Sequence, residues 1–125
     1  MSNVLIVDDH AAVRRAIRLA FKYVRGLVLR EAVDGDDAIE KAKELRPDAV
    51  ILDMSMPVLN GLETARILKK LMPAVPLFML TAHVSPQLRV AAQESGITNV
   101  FSKNHGLTAL VSAVEMKFPP AQTQA

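Results

Sequence analysis

The sequence predicts a doubly wound α/β fold: a five-stranded parallel sheet with helices on both faces. Three observations carry this prediction. Five short aliphatic runs alternate strictly with five stretches of helical periodicity. Four of those runs end on a polar residue able to do chemistry. Turn-forming residues close each segment and leave only short connections, as repeated βα units require.

The elements follow in order. Val4-Leu5-Ile6-Val7 is a continuous aliphatic run ending at Asp8 and reads as a strand buried on both faces. Val13, Ile17, Ala20, Phe21 and Val24 then recur at helical spacing, with Arg14, Arg18 and Lys22 on another face and Gly26 as the stop. Leu27 to Val33 is the second strand, and Asp34-Gly35-Asp36 opens the next helix, which Pro47 closes. Ala49 to Leu52 is the third strand, ending at Asp53. A loop with Pro57, Asn60 and Gly61 leads to a helix carrying Leu62, Ala65, Leu68 and Leu71. Leu77 to Leu80 is the fourth strand, ending at Thr81. Ser85-Pro86 is a good N-cap and first-turn pair for a helix running to about Ser95-Gly96. Thr98 to Ser102 is the fifth strand, ending at Lys103, and Leu107, Leu110, Val111 and Val114 belong to a last helix.

At 125 residues the chain suits one domain with a real core. Half of it is hydrophobic, with four Phe, one Tyr and no Trp, so that core is mainly aliphatic. There is no cysteine, which excludes disulfides and thiolate metal sites and suits a reducing cytosol. The N-terminus lacks the pattern of a signal peptide, and no apolar run approaches the roughly 20 residues that span a bilayer. A cytoplasmic protein is expected. The net charge of +2 does not support direct nucleic-acid binding.

In a doubly wound sheet, ligands bind beyond the carboxyl ends of the strands, where the strand order reverses. Asp8 and Asp9 follow the first strand, Asp53 the third, Thr81 the fourth and Lys103 the fifth. The second strand takes the outer place in the flavodoxin-like order 2-1-3-4-5. Three carboxylates in one crevice raise each other's pKa or demand a counter-ion. A hard divalent cation answers that demand, and Mg²⁺ (or Mn²⁺) takes carboxylates together with waters and a phosphate. Lys103 brings a positive charge to Asp53 or to a phosphoryl oxygen, and Thr81 brings a hydroxyl donor. Phosphoryl transfer depends on such positioning and charge neutralisation. A carboxylate nucleophile forming an aspartyl phosphate is established chemistry.

The segments LIVDDH, VILDMSMPVLNG, MLTAH and FSK, in this order and at these intervals, resemble the motifs of the response-regulator receiver family. The resemblance covers essentially the whole chain. It implies that Asp53 is the phosphoacceptor. It also implies that Asp8 and Asp9 are the metal-binding acidic pair, with Asp9 the more direct ligand, and that the Ser55 backbone carbonyl adds a metal contact. Thr81 matches the switch hydroxyl and Lys103 the phosphate lysine. The backbone N–H groups of Met54 and Ala82 would cradle the phosphoryl oxygens. A receiver domain is expected over residues 1–118, with 119–125 a flexible tail or the start of a linker.

The implied function is that of a two-component phosphorelay receiver. A histidine kinase or phosphotransfer protein supplies the phosphoryl group, and the phosphorylated form controls an output. The chain is then no enzyme, but a phosphoacceptor switch with Mg²⁺-dependent self-phosphorylation and dephosphorylation. VDDH and NGLETA resemble receivers attached to helix-turn-helix domains, so a DNA-binding output domain absent from this chain is a candidate partner. A monomer or a phosphorylation-dependent dimer is expected.

The chain departs from the family pattern in places. Val100 stands three residues before the lysine, where Tyr or Phe is frequent, and strand alternation turns the adjacent Phe101 to the other face. Asn104 follows the lysine where proline is common, so a trans peptide is expected there. Ser55 and His83 occupy positions that tune access of hydrolytic water in the family. His10 is expected at a helix start rather than on a metal, and the Arg14, Arg18, Lys22 stripe reads as a solvated face. Two other classes compete. A phosphorylation-independent interaction module is favoured by Val100 and Asn104 and opposed by the intact acidic set. For an Asp-dependent phosphohydrolase, no D-x-D arrangement with an added acid and no cap insertion is evident.

Overall fold

The computed structural model describes residues 1–119, so most of the segment expected as a tail, from residue 120 on, lies outside the described residues. Ten elements alternate strictly: β1 (Ser2–Val7), α1 (Ala11–Ala20), β2 (Leu27–Ala32), α2 (Gly35–Leu45), β3 (Ala49–Asp53), α3 (Gly61–Leu71), β4 (Leu77–Thr81), α4 (Pro86–Glu94), β5 (Asn99–Ser102) and α5 (Leu107–Lys117). The strands form one parallel sheet in the order β2-β1-β3-β4-β5. No helix among the described residues is long and apolar enough to cross a membrane.

Strand alternation divides the core into two layers. Leu5, Val7, Val50, Leu52, Leu77, Met79 and Val100 face one side, where Ala38 and Ala42 of α2, Ala65 and Leu68 of α3 and Ala92 of α4 cover them. Val4, Ile6, Ala49, Ile51, Phe78 and Leu80 face the other, under Ile17 of α1 and Leu110 and Val114 of α5. Because β1, β3 and β4 are covered on both faces, their runs are continuously apolar rather than alternating. Val100 packs in the first layer and Phe101 in the second, as the alternation requires.

Local chemistry fixes most helix starts. Asp34 accepts the Asp37 N–H, Ser85 accepts the Leu88 N–H with Pro86 next in line, and Asn60 and Glu63 form a reciprocal capping box. The first helix is shorter than its periodicity. It ends at Ala20, and the Lys22 and Val24 N–H groups bond three residues back, to Leu19 and Phe21. Phe21 stays buried through this tight turn, so apolar spacing persists after the helix has stopped.

The β3–α3 loop carries backbone strain. Val58 has φ +68°, and the Leu59 N–H bonds to the Pro57 carbonyl at 2.8 Å. This is a γ-turn centred on an exposed β-branched residue, which no packing offsets. Val58→Gly is expected to raise stability by roughly 1 kcal/mol after glycine's entropic cost. A urea midpoint that falls instead would contradict the strained geometry.

Candidate functional site

The strand register builds the site. Val7 pairs with Leu52, so Asp8 and Asp53 emerge side by side at the carboxyl ends of β1 and β3. Asp53 pairs with Leu80, which sets Thr81 one step further along β4. Thr81 pairs with Ser102, which sets Lys103 just past the end of β5. The Lys103 N–H donates to the Thr81 carbonyl at 2.8 Å, so one backbone hydrogen bond ties the two residues together. Met54 and Ser55 lie in the loop leaving Asp53, and Ala82 directly follows Thr81. Ser85 caps α4, which leaves Thr81 free of that duty.

Lys103 starts two strands away from Asp53, and its side chain crosses that gap to both buried acids. Its Nζ lies 3.0 Å from Asp53 Oδ1 and 3.0 Å from Asp8 Oδ2. Both carboxylates are almost fully buried, at 3% and 1% exposure. Burial pushes the Asp53 carboxyl above its ordinary value; the Lys103 ammonium pulls it back, and the Asp8 charge pushes it up again. Burial also works against the Lys103 charge, but the two carboxylates outweigh it and raise that pKa. Asp9 is more open, and one ligand atom from each of Asp8, Asp9, His10 and Asp53 lies within 4.8 Å of the others.

The charges at this edge do not balance. Three carboxylates against one ammonium leave two negative charges, and the Asp8 charge adds to the upward shift of Asp53. All the anionic donors are oxygens, with solvent access through Asp9 and the exposed Ser55. That donor set fits a hard divalent cation. Asp8 also shapes the backbone. Its Oδ1 accepts the His10 N–H at 2.8 Å in the turn before α1. His10 is the N-cap residue of α1, at the helix start as expected, yet its ring also joins the carboxylates. Sequence spacing alone could not show this, because the ring's direction depends on that turn.

A sequence model of the response regulator receiver domain matches residues 4–115. The chain belongs to the response-regulator receiver family. The receiver is 36% identical over 115 residues to the response regulator UvrY of Escherichia coli strain K12, an alignment covering 91% of this chain and 53% of UvrY. It is 33% identical over 119 residues to the response regulator GacA of Pseudomonas viridiflava, covering 94% and 56% of the two chains. It thus spans about half the length of the curated relatives it matches. Among solved structures, the Vibrio cholerae chemotaxis protein CheY4 superposes with a TM-score of 0.84 at 28% identity, over 94% of this chain and 99% of that one. The receiver domain of NarL from Mycobacterium tuberculosis gives a TM-score of 0.82 at 28% identity, over 90% and 92%. Receivers of this family switch by phosphorylation in two-component signalling and bind Mg²⁺ at an acidic pocket.

In the Arg14, Arg18, Lys22 stripe, expected as a solvated face, Arg14 and Arg18 are instead held by ion pairs, while Lys22 is exposed. Arg14 Nε bonds to Glu31 Oε1 of β2 at 2.7 Å, Arg18 pairs with Glu31 Oε2, and the Arg14 guanidinium also donates to the Asp8 carbonyl at 2.7 Å. The partner sits 17 residues from Arg14 on an edge strand, a pairing invisible to helical periodicity. Arg18 and Arg14 together hold the Glu31 carboxyl below its ordinary value of 4.5. A carboxyl with a lowered folded pKa contributes stability above its unfolded pKa and loses it as the pH falls through the folded value. Glu31→Gln is therefore expected to cost about 1 kcal/mol at pH 7, since the pair is partly exposed. Thermal melts should show the two proteins converging in acid; a difference that persists there would rule out the ionic origin.

Proposed function

We propose that Asp53 accepts a phosphoryl group from a phosphohistidine donor, a histidine kinase or phosphotransfer protein, and that the acyl phosphate switches the receiver between output states. The reading rests on one observation above others: a single ammonium, Lys103 Nζ, stands 3.0 Å from both buried carboxylates at the sheet edge. A carboxylate oxygen of Asp53 forms the new bond to phosphorus. The P–N bond breaks, and its electron pair leaves with the imidazole nitrogen, which takes up a proton. Lys103, already directed at Asp53, follows the phosphoryl oxygens as the negative charge moves outward.

Asp8, Asp9, Asp53 and the Ser55 carbonyl would hold Mg²⁺ or Mn²⁺, which supplies charge neutralisation to the transferring group when bound. Met54 and Ala82 would offer backbone N–H groups to it. Thr81 would take up a hydrogen bond to the phosphoryl group, and its link to Lys103 would carry that change to β5. The receiver occupies residues 1–118, and its output is a partner or a DNA-binding domain outside this chain.

The test is incubation with Mg²⁺ and acetyl phosphate, followed by intact mass. One added phosphoryl group, absent with chelator and absent in Asp53→Asn, is the expected result. An adduct that survives Asp53→Asn would overturn the assignment. No adduct under any condition would favour the interaction module, and catalytic consumption of the donor would favour the phosphohydrolase.

A further inference from the structure

The acidic cluster contains one donor that an all-oxygen site leaves unused. His10 Nδ1 lies 3.0 Å from Asp9 Oδ1 and 3.3 Å from Asp8 Oδ1. We propose that His10 is a ligand of the same cation site, and that it biases the site away from Mg²⁺ toward Mn²⁺ and later ions of the first transition row. This rests on reading the acidic cluster as a cation site.

Three features of the geometry support it. An octahedral ion at about 2.1 Å from its donors sets neighbouring donors about 3.0 Å apart. His10 Nδ1 already stands at that spacing from Asp9 and close to it from Asp8. The ring is also held by the site itself: His10 is the N-cap residue of α1, with extended backbone at φ −102° and ψ 115°, and its N–H is anchored on Asp8 Oδ1. Finally, the side chain is 66% exposed, and its only described polar partners are Asp8 and Asp9. No other interaction among the described residues competes for the nitrogen.

The chemistry gives the direction of the bias. Mg²⁺ takes oxygen donors and keeps several waters. Imidazole suits manganese only modestly but cobalt, nickel and zinc well, so a nitrogen in the ring of donors raises affinity along that series. A contrary role for the ring is that of a resident positive charge beside the carboxylates. Such a charge would oppose every divalent cation alike. The two roles predict opposite signs for removal of the ring.

The experiment titrates the full chain with MnCl₂ and, separately, with MgCl₂ by calorimetry, for the native protein and for His10→Ala. Pulsed electron paramagnetic resonance of the Mn²⁺ samples reports any directly bound nitrogen. The expected result is a Mn²⁺ affinity about tenfold lower in His10→Ala, with the Mg²⁺ affinity changed less than about threefold. The nitrogen coupling should be present in the native protein and absent in the variant. Equal losses for both ions, gains for both, or no nitrogen coupling would overturn the proposal. Asp9→Asn and Asp53→Asn separate this from the parent reading. If they abolish binding while His10→Ala changes nothing, only the role of His10 fails. If both ions bind them as they bind the native protein, the cation site itself is wrong.

Discussion

Lys103→Met is expected to lower the stability of the metal-free receiver by about 3 kcal/mol at neutral pH, or about 10 °C in melting temperature. The native ammonium is shared by Asp8 and Asp53, each buried almost completely. Methionine fills the space of the stem but leaves two like charges facing each other, both almost fully buried. Asp53 is already pushed above its ordinary value by burial even with the lysine present, so its loss must push further. A carboxyl with a raised folded pKa loses stability as the pH climbs from the unfolded to the folded value. The deficit should therefore be full at neutral pH and shrink in acid. Mg²⁺ should also reduce it. Melts across a pH series check this; a deficit that is absent at pH 7, or that grows in acid, would contradict the electrostatic account.

The second large effect comes from a backbone contact. Gly61 opens α3, and its N–H bonds to the Met54 carbonyl at 2.7 Å. A Cβ at this position would overlap the Asp53 carbonyl oxygen and lie 2.8 Å from Met54 Cα and 2.9 Å from Met79 Cε. Two of these three atoms are backbone and cannot rotate aside. Gly61→Ala is expected to cost about 3 kcal/mol in a denaturant titration. The same displacement moves Asp53, the proposed phosphoacceptor, so phosphorylation by acetyl phosphate should slow by about a hundredfold in whatever fraction remains folded. Native stability with native phosphorylation kinetics would show that the loop accommodates a side chain.

Much of the fold and the site is legible in the sequence because the signals are local. Aliphatic runs covered on both faces stay apolar, so Val4–Val7, Ala49–Leu52 and Leu77–Leu80 announce central strands. Each run stops where the chain reaches the sheet edge, so its next residue stands at the candidate site. Ser85-Pro86 and Asn60 with Glu63 are caps whose chemistry lies within four positions. What stays hidden depends on distant partners. Arg14 and Arg18 look like solvent-facing charges until β2 brings Glu31 against them. His10 looks like a turn residue until Asp8 fixes the turn. The end of α1 is obscured because Phe21 and Val24 keep a helical spacing through turns that are no longer α-helical.

We propose that Asp53, among the carboxylates gathered at this edge, takes the phosphoryl group. The most direct measurement traps the product chemically. The receiver is incubated with Mg²⁺ and acetyl phosphate, reduced with borohydride, digested and read by peptide mass spectrometry. Borohydride converts an acyl phosphate to an alcohol, so homoserine is expected in place of Asp53, and unmodified aspartate there when chelator is present. Homoserine at Asp8 or Asp9 with Asp53 unchanged would contradict it.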